Sequence, residues 1–358
     1  MKVGYLLRYY PTLTETFVYL EIEGLLQRGM SVEIFALGAR EDGDLQERLP
    51  KCPVHRAPRG RIRRWLPLQS LGERWLGQHQ RRKDVARLSW LKQATAHLDF
   101  LWVHFAGEAA ELAYALHLDT QLPYGVTAHA VDIFSPRPAW TTVLKKAHSV
   151  ITISTYNQQY LLARGITSDV IHCGVRLADW TVDPLTGGPL RALFVGRDVA
   201  KKGLGVLLEA FAHLSEEHQL RVISNRTETS TNNVSFLPFL KTSALNEQYA
   251  WSNVVVLPCT TAENGDRDGI PVVLMEALAC GRPVITTTLP GIEQLISSRV
   301  GWLARSGCRH SLVECLLEAA QPAKRAEKAM YALSHLRNSP FVHFKQMEQF
   351  VHHLVTRF

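Results

Sequence analysis

Two carboxylates eight residues apart, Asp268 and Glu276, bracket the segment Gly269-Ile270-Pro271-Val272-Val273-Leu274-Met275. Proline has a fixed φ and no N–H to lose, so Pro271 suits the first helical position, and Gly269 lets the backbone before it turn closely. This pattern predicts Asp268 on a loop ahead of a helix and Glu276 about one and a half turns inside it, at about 1.5 Å rise per residue. Free amides at such a helix start, on the positive end of its dipole, suit a phosphate placed between the two acids. One carboxylate can then reach a sugar hydroxyl and the other a ribose hydroxyl, which is a grip on a nucleotide sugar. The same residues also read as an amphipathic helix with an acidic first turn, so the stretch does not decide by itself.

Further groups have chemistry of the same kind. In Val195-Gly196-Arg197-Asp198-Val199-Ala200-Lys201-Lys202-Gly203 a strand ends and Arg197 and Lys202 fall five residues apart, so both can converge on a diphosphate. A guanidinium binds phosphate oxygens as a fork and an ammonium as a point charge, and both stabilise negative charge growing on a leaving group. His129 follows the apolar run Tyr124-Gly125-Val126-Thr127, and His104 follows Leu101-Trp102-Val103. Sites in open α/β sheets are built at such strand ends, although a single histidine there is more often structural. Neither spacing is that of a zinc site.

The elements that position these groups follow from periodicity. Lys2 to Arg8 reads as a buried strand, a helix carries Phe17, Leu20, Ile22, Leu25 and Leu26 up to Gly29, and Val32 to Leu37 is the next strand, making a β-α-β unit. Strands are expected again at 101–103, 124–127, 150–153 and 170–171. A turn-rich stretch at 181–189 separates this half from a second, whose strands are expected at 191–195, 220–223, 254–257, 284–286 and 301–303. The fold class is therefore α/β, with two Rossmann-like doubly wound domains facing a cleft that takes the ligand. The expected bounds are 1–182, 183–340, and a helix over 341–358 that packs back on the first domain.

A chain of 358 residues with 46% hydrophobic and 20% charged residues is globular and long enough for two cores. Its N-terminus lacks the apolar run of a signal peptide and no stretch is long enough to span a bilayer, so a cytoplasmic location is expected. The six cysteines show no paired spacing and read as reduced, buried thiols. The net charge of +7 is concentrated between Lys51 and Lys92, where Arg56, Arg59, Arg61, Arg63, Arg64, Arg74, Arg81, Arg82, Lys83 and Arg87 alternate with Trp65, Leu66, Leu68, Leu71, Trp75 and Leu76. Such a mixture suits an anionic membrane face better than nucleic acid, since no nucleic-acid-binding module is present.

Together, Asp268 to Glu276, VGRDVAKKG, VTAHAVDIF, ITISTYNQQYL and VIHCGV resemble the retaining glycosyltransferases of GT-B fold that carry an E-x7-E signature, family 4, and the early LTETF is similar to bacterial enzymes of colanic-acid and exopolysaccharide assembly. The resemblance implies that Arg197 and Lys202 hold the donor diphosphate, Glu276 the ribose and Asp268 a hydroxyl of the donor sugar. Gly269, Ile270, Pro271 and Val272 would supply backbone contacts, His129 would lie beside the reacting sugar, and Thr14, Glu15 and His104 would serve the acceptor side. The implied reaction moves a hexose, with UDP-sugars favoured, to a lipid-linked or growing saccharide, needing neither metal nor other cofactor. Asp268 stands where the signature has Glu, and Ile223 to Glu228 replaces the usual GDGP-like loop. A GT-B epimerase, a phosphorylase or a non-catalytic sugar-nucleotide binder is the alternative.

The basic segment generates a test of its own. Binding of the protein to anionic vesicles should fall as added salt shortens the electrostatic range to about 8 Å at physiological ionic strength. The Arg61→Gln/Arg63→Gln/Arg64→Gln variant should bind those vesicles more weakly; equal binding of wild type to neutral and anionic vesicles, or to neither, removes the membrane reading.

Overall fold

A computed structural model describes residues 1–40, 49–58, 68–79, 84–183, 185, 187–226 and 228–357. They form two units, Met1–Ile171 with Met347–Phe358, and His172–Gln346.

In the first unit the strands are β1 (Lys2–Leu7), β2 (Ser31–Ala36), β3 (Val54–Arg56), β4 (Phe100–His104), β5 (Tyr124–Ala128), β6 (Ser149–Thr152) and β7 (Asp169–Val170). The helices between them are α1 (Thr16–Gln27), α2 (Leu71–Gln78), α3 (Val85–Ala94), α4 (Glu108–Thr120), α5 (Ala130–Phe134), α6 (Trp140–Lys146) and α7 (Thr155–Leu162). All seven strands run parallel in the order β3-β2-β1-β4-β5-β6-β7. A parallel sheet needs a crossover between neighbours and is covered on both faces, which is why β4 and β5 are mostly apolar and buried throughout.

The second unit repeats the plan. Its strands β8 (Arg191–Val195), β9 (Gln219–Ile223), β10 (Val234–Leu237), β11 (Val254–Val256), β12 (Val284–Thr287) and β13 (Gly301–Ala304) are parallel in the order β10-β9-β8-β11-β12-β13. The helices are α8 (Leu204–Phe211), α9 (Thr242–Trp251), α10 (Val272–Ala279), α11 (Arg309–Ala320) and α12 (Pro322–Asn338). In each sheet the chain reverses its direction of travel beside the first strand, between β1 and β4 and between β8 and β11. Such switch points are where doubly wound sheets bind ligands, at the carboxyl ends of the strands.

Several sequence expectations shift in the structure. The boundary at 182/183 lies later than the observed one, because Val175 bridges to Val342 and the Asn246 side-chain amide donates to the Asp179 carbonyl at 2.7 Å, tying 172–182 to the second unit. The C-terminal helix α13 spans His343–Arg357, and it joins the first unit from Met347 onward. There Phe350 packs edge-on to Trp102 at 5.0 Å, and a Cβ on Gly24 would lie 2.7 Å from the Met347 side chain. The edge strands β3 and β10 escape the sequence reading because neither is buried enough to need an apolar run.

The basic segment also changes. Arg59, Arg61, Arg63, Arg64, Trp65, Leu66, Arg81, Arg82 and Lys83 lie outside the described residues. Trp75 and Leu76, read from sequence as part of a lipid-facing surface, are instead 9% and 0% exposed in the first unit's core. Arg56 donates to the Tyr10 carbonyl at 2.8 Å, and Arg87 pairs with Asp84 at 2.9 Å. No helix among the described residues is long and apolar enough to cross a membrane.

Candidate active site

The loop after β8 is shaped by Gly203. Its φ of +68° is a backbone state that side chains rarely adopt, and a Cβ there would lie 2.0 Å from the Pro258 carbonyl oxygen after β11. This close approach brings Lys202 to the loop carrying Asp268: Lys202 Nζ lies 2.7 Å from Asp268 Oδ2. Lys201 is 3.6 Å from Asp268 Oδ1 and 2.9 Å from Asp266, and the Cys259 thiol donates to Asp268 over 3.4 Å. Burial alone would raise the Asp268 pKa, but the charges of Lys202 and Lys201 outweigh it and hold the carboxyl below its usual value. Lys202 is the mirror case, pushed down by burial and lifted above its usual value by Asp268.

Arg197, on the same loop, is exposed and makes no ion pair with any described residue. Its charge nevertheless bears on Lys202. Asp198 beside it is tied to the loop after β9, through the Asp198 amide to Asn225 at 2.8 Å and through Arg226 at 3.4 Å. Arg226 also pairs with Glu228. The sequence expected Arg197 and Lys202 to act on a diphosphate apart from Asp268; the structure joins Lys202 and Asp268 in one partly buried pair, so the two side chains are coupled.

Gly269, Ile270 and Pro271 are buried and lead into α10. Gly269 is held against Gly291, where a Cβ would meet the Gly269 carbonyl oxygen at 2.3 Å. Pro271 is not the first helical residue, as the sequence suggested, but the N-cap: its φ of −64° is the value its ring imposes, while its ψ of 129° is extended. Val272 therefore opens the helix, and the Leu274 amide donates to the Pro271 carbonyl at 3.1 Å. Glu276 sits on the fifth helical residue, 8% exposed, and accepts a hydrogen bond of 2.8 Å from the Tyr249 hydroxyl on α9. Burial raises its pKa from 4.5 to about 7, with the tyrosine acting in the opposite sense. Tyr249 has no sequence signal as a site residue beyond its place in an amphipathic stretch.

In the first unit His104 and His129, read from sequence as separate strand-end residues, meet: His104 Nδ1 and His129 Nε2 are 3.2 Å apart. His104 Nε2 lies 3.0 Å from Glu21 Oε1, which also accepts from the Tyr5 hydroxyl at 2.7 Å. Glu21 and Tyr5 were missed because each looks like an ordinary element residue, one on α1 and one on β1. The His129 ring packs against Phe17 and Phe105, with ring centroids 4.9 Å and 4.4 Å away, and Phe105 has a φ of +71°. Burial, then the neighbouring His104, lowers the His129 pKa well below its usual value, so the ring is neutral. Thr14 and Glu15 stand at the start of α1, Thr14 exposed and Glu15 as its N-cap. Among the described residues no group of three or more His, Cys, Asp or Glu could hold a metal ion.

Two Rossmann-like parallel-sheet units, with cations and carboxylates at the strand ends, define the GT-B class of glycosyltransferases, and solved structures agree. The Anabaena protein HepE, in complex with UDP and glucose, is 18% identical with a TM-score of 0.80, covering 99% of each chain. Sucrose-phosphate synthase from Thermosynechococcus elongatus is 18% identical with a TM-score of 0.79, covering 100% of each. Family models match in chain order: Glycosyltransferase Family 4 over residues 14–179, and Glycosyl transferases group 1 over residues 189–321. The chain belongs to this family of glycosyltransferases. Among its relatives are the Escherichia coli K12 glycosyltransferase WcaL, named for colanic acid biosynthesis, 26% identical over 90% of this chain and 91% of its own length, and the Erwinia amylovora amylovoran biosynthesis glycosyltransferase AmsK, 36% identical over 37% and 36%.

Two outcomes test this geometry. Gly203→Ala, with both strain and a backbone clash, should lose more than about 2 kcal/mol in denaturant unfolding; a wild-type midpoint would show that the Pro258 approach is not needed. Glu276 has a folded pKa above its unfolded one, so the folded state binds the extra proton and stability falls as pH rises from about 4.5 to about 7. Glu276→Gln should flatten that decline in melting temperature measured between pH 5 and 8. An identical slope in both proteins would exclude Glu276 as its source.

Proposed function

We propose that the protein is a retaining hexosyltransferase that uses a nucleoside diphosphate sugar, UDP-linked by preference, and a lipid-linked or growing saccharide acceptor in bacterial exopolysaccharide or cell-surface glycan synthesis. The observation that carries it is the partly buried Lys202–Asp268 pair of 2.7 Å beside the exposed, unpaired Arg197. An ammonium has three N–H donors, so Lys202 can keep Asp268 and still reach a phosphate oxygen. Arg197 adds a fork for the same diphosphate. Both charges, with the start of α10, stabilise the leaving group as the glycosidic bond breaks, and in this reading they stand in for a metal ion.

In this reading Asp268, kept ionised by its lysines, accepts a hydrogen bond from a hydroxyl of the donor sugar, His129 lies beside the reacting sugar, and Glu276 receives the ribose. The acceptor oxygen attacks from the face the diphosphate leaves, and the departing phosphate oxygen takes its proton, so configuration is kept. The donor class is supported by HepE, solved with UDP and glucose, and the pathway class by the two relatives named for colanic acid and amylovoran. A lipid-linked acceptor is supported by a Propionibacterium freudenreichii relative named phosphatidyl-myo-inositol mannosyltransferase, 31% identical over 38% of this chain.

The test is a panel of UDP-, GDP- and ADP-sugars, with nucleoside diphosphate release measured with and without bacterial lipid extract, with and without chelator, and with the product's anomeric configuration read by NMR. Release that needs no acceptor, or an inverted product, overturns the reading. Arg197→Ala and Lys202→Ala should each lower kcat by roughly 10²-fold or more, as removal of a preorganised donor does. Because Asp268 also holds Lys202, Asp268→Asn should weaken both sugar transfer and affinity for the bare nucleoside diphosphate. Turnover unchanged in either cation variant would remove the diphosphate assignment.

A further inference from the structure

Tyr249 is fully buried, and its surroundings fix where its hydroxyl lies. Its backbone carbonyl uses both lone pairs, accepting from Nε of Arg282 at 2.9 Å and from the Ser252 hydroxyl at 2.9 Å. The Arg282 guanidinium is anchored in turn, donating to the Asp183 carbonyl at 2.8 Å and the Ala250 carbonyl at 3.1 Å. Trp180 stands edge-on to the Tyr249 ring, with ring centroids 5.3 Å apart. With carbonyl and ring both held, the phenol has little freedom to swing, and its hydroxyl ends 2.8 Å from Glu276 Oε2.

The two ends of this hydrogen bond have fixed roles. Burial, then the neighbouring Glu276, holds the Tyr249 phenol well above its usual pKa, so it stays protonated and donates. A donor to the carboxylate favours its charged form and opposes the burial that drives Glu276 up to about 7. The Cys280 thiol at the end of α10 also feels Glu276; burial, then Glu276, pushes it up to about 12, so it carries no charge at neutral pH. Arg282 remains a cation and bears on Cys280 and Asp183. Tyr249 engages Oε2 only, and among the described residues none donates to Glu276 Oε1.

We propose that Tyr249 is a positioning residue for nucleotide-sugar binding: its hydroxyl holds Glu276 by Oε2 and leaves Oε1, as a carboxylate oxygen, for a ribose hydroxyl. This role rests on the transferase reading above, which gives Glu276 to the ribose. A ribose hydroxyl donates, so the ligand selects the ionised carboxylate, and a protein donor that eases ionisation of Glu276 raises affinity most where the carboxyl would otherwise be protonated. A tyrosine that only filled space would act equally at every pH.

The experiment is titration calorimetry of the full chain with UDP-glucose and with GDP-mannose at pH 6, 7 and 8.5. Their diphosphates are esterified at both ends and do not titrate in that range. Glu276 has a higher pKa without the ligand, about 7, than with it, so wild-type affinity should rise with pH through about 7 and level off above. Glu276→Gln should lack the rise. Tyr249→Phe removes one hydroxyl and the stabilisation of the carboxylate with it, so it should bind about fivefold more weakly than wild type at pH 6 and within about twofold at pH 8.5. Replacement of Tyr249 by 3-fluorotyrosine, a more acidic phenol and stronger donor, should displace the rise toward lower pH, and this second variant decides if Tyr249→Phe fails to fold. A Tyr249→Phe deficit equal at every pH, no deficit at all, or an undisplaced rise with fluorotyrosine overturns the proposal alone. So does a rise retained by Glu276→Gln. Wild type that binds neither nucleotide sugar overturns the transferase reading and this role with it.

Discussion

Burial of a parallel sheet on both faces is the constraint from which the site follows. Parallel neighbours cannot be joined by a hairpin, so each strand of both units ends in a loop on the same edge, and the chain must return across a face before the next strand begins. That requirement gathers the residues after β8 and β11 in one place and those at the ends of β4 and β5 in another. Lys202 and Asp268 are 66 residues apart in sequence and 2.7 Å apart in space for this reason. The close approach of Gly203 to the Pro258 carbonyl is the local condition: any side chain there would separate the two loops and the ion pair with them.

Charge placement obeys the same economy. Each lysine in this part of the second unit has a carboxylate, the buried Lys201 with Asp266 and the partly buried Lys202 with Asp268, because a charge withdrawn from solvent without a partner is costly. Arg197 departs from that pattern by being exposed and unpaired. Beside the paired lysines its guanidinium is reachable from solvent, while the neighbouring Asp198 is engaged with Arg226 and Asn225. The pair keeps Lys202 charged and in place without using all of its N–H donors.

The sequence was legible where burial dictates composition and illegible where contacts span the sheet. Runs rich in apolar residues announced β1, β2, β4, β5, β8 and β12, since strands covered on both faces carry few polar side chains. The edge strands β3 and β10 carry no such run and were not seen. The acids Asp268 and Glu276 and the cations Arg197 and Lys202 were visible because their spacing is local, but the partnership of Lys202 with Asp268 was not. Likewise His104 and His129 each stood out at a strand end, while their contact, and the Glu21 and Tyr5 behind it, depends on β1, β4 and β5 being adjacent in space. Tyr249 escaped notice because α9 reaches Glu276 only through the packing of the second unit.

Burial acts in opposite directions on the two acids of the signature, and the difference comes from their partners. Asp268 has two ammonium groups and is held ionised below its usual pKa; Glu276 has a neutral hydroxyl, and its pKa rises to about 7. At neutral pH the first is a fixed anion, whereas the second is divided between its charged and uncharged forms. Hydroxyls of a ligand arriving at Glu276 would donate hydrogen bonds, which favour the carboxylate, so binding and proton release become linked at that residue and not at Asp268. One helix start thus holds an acid that is permanently prepared for hydrogen-bond donors and another that becomes fully charged only when donors replace the solvent its burial excludes.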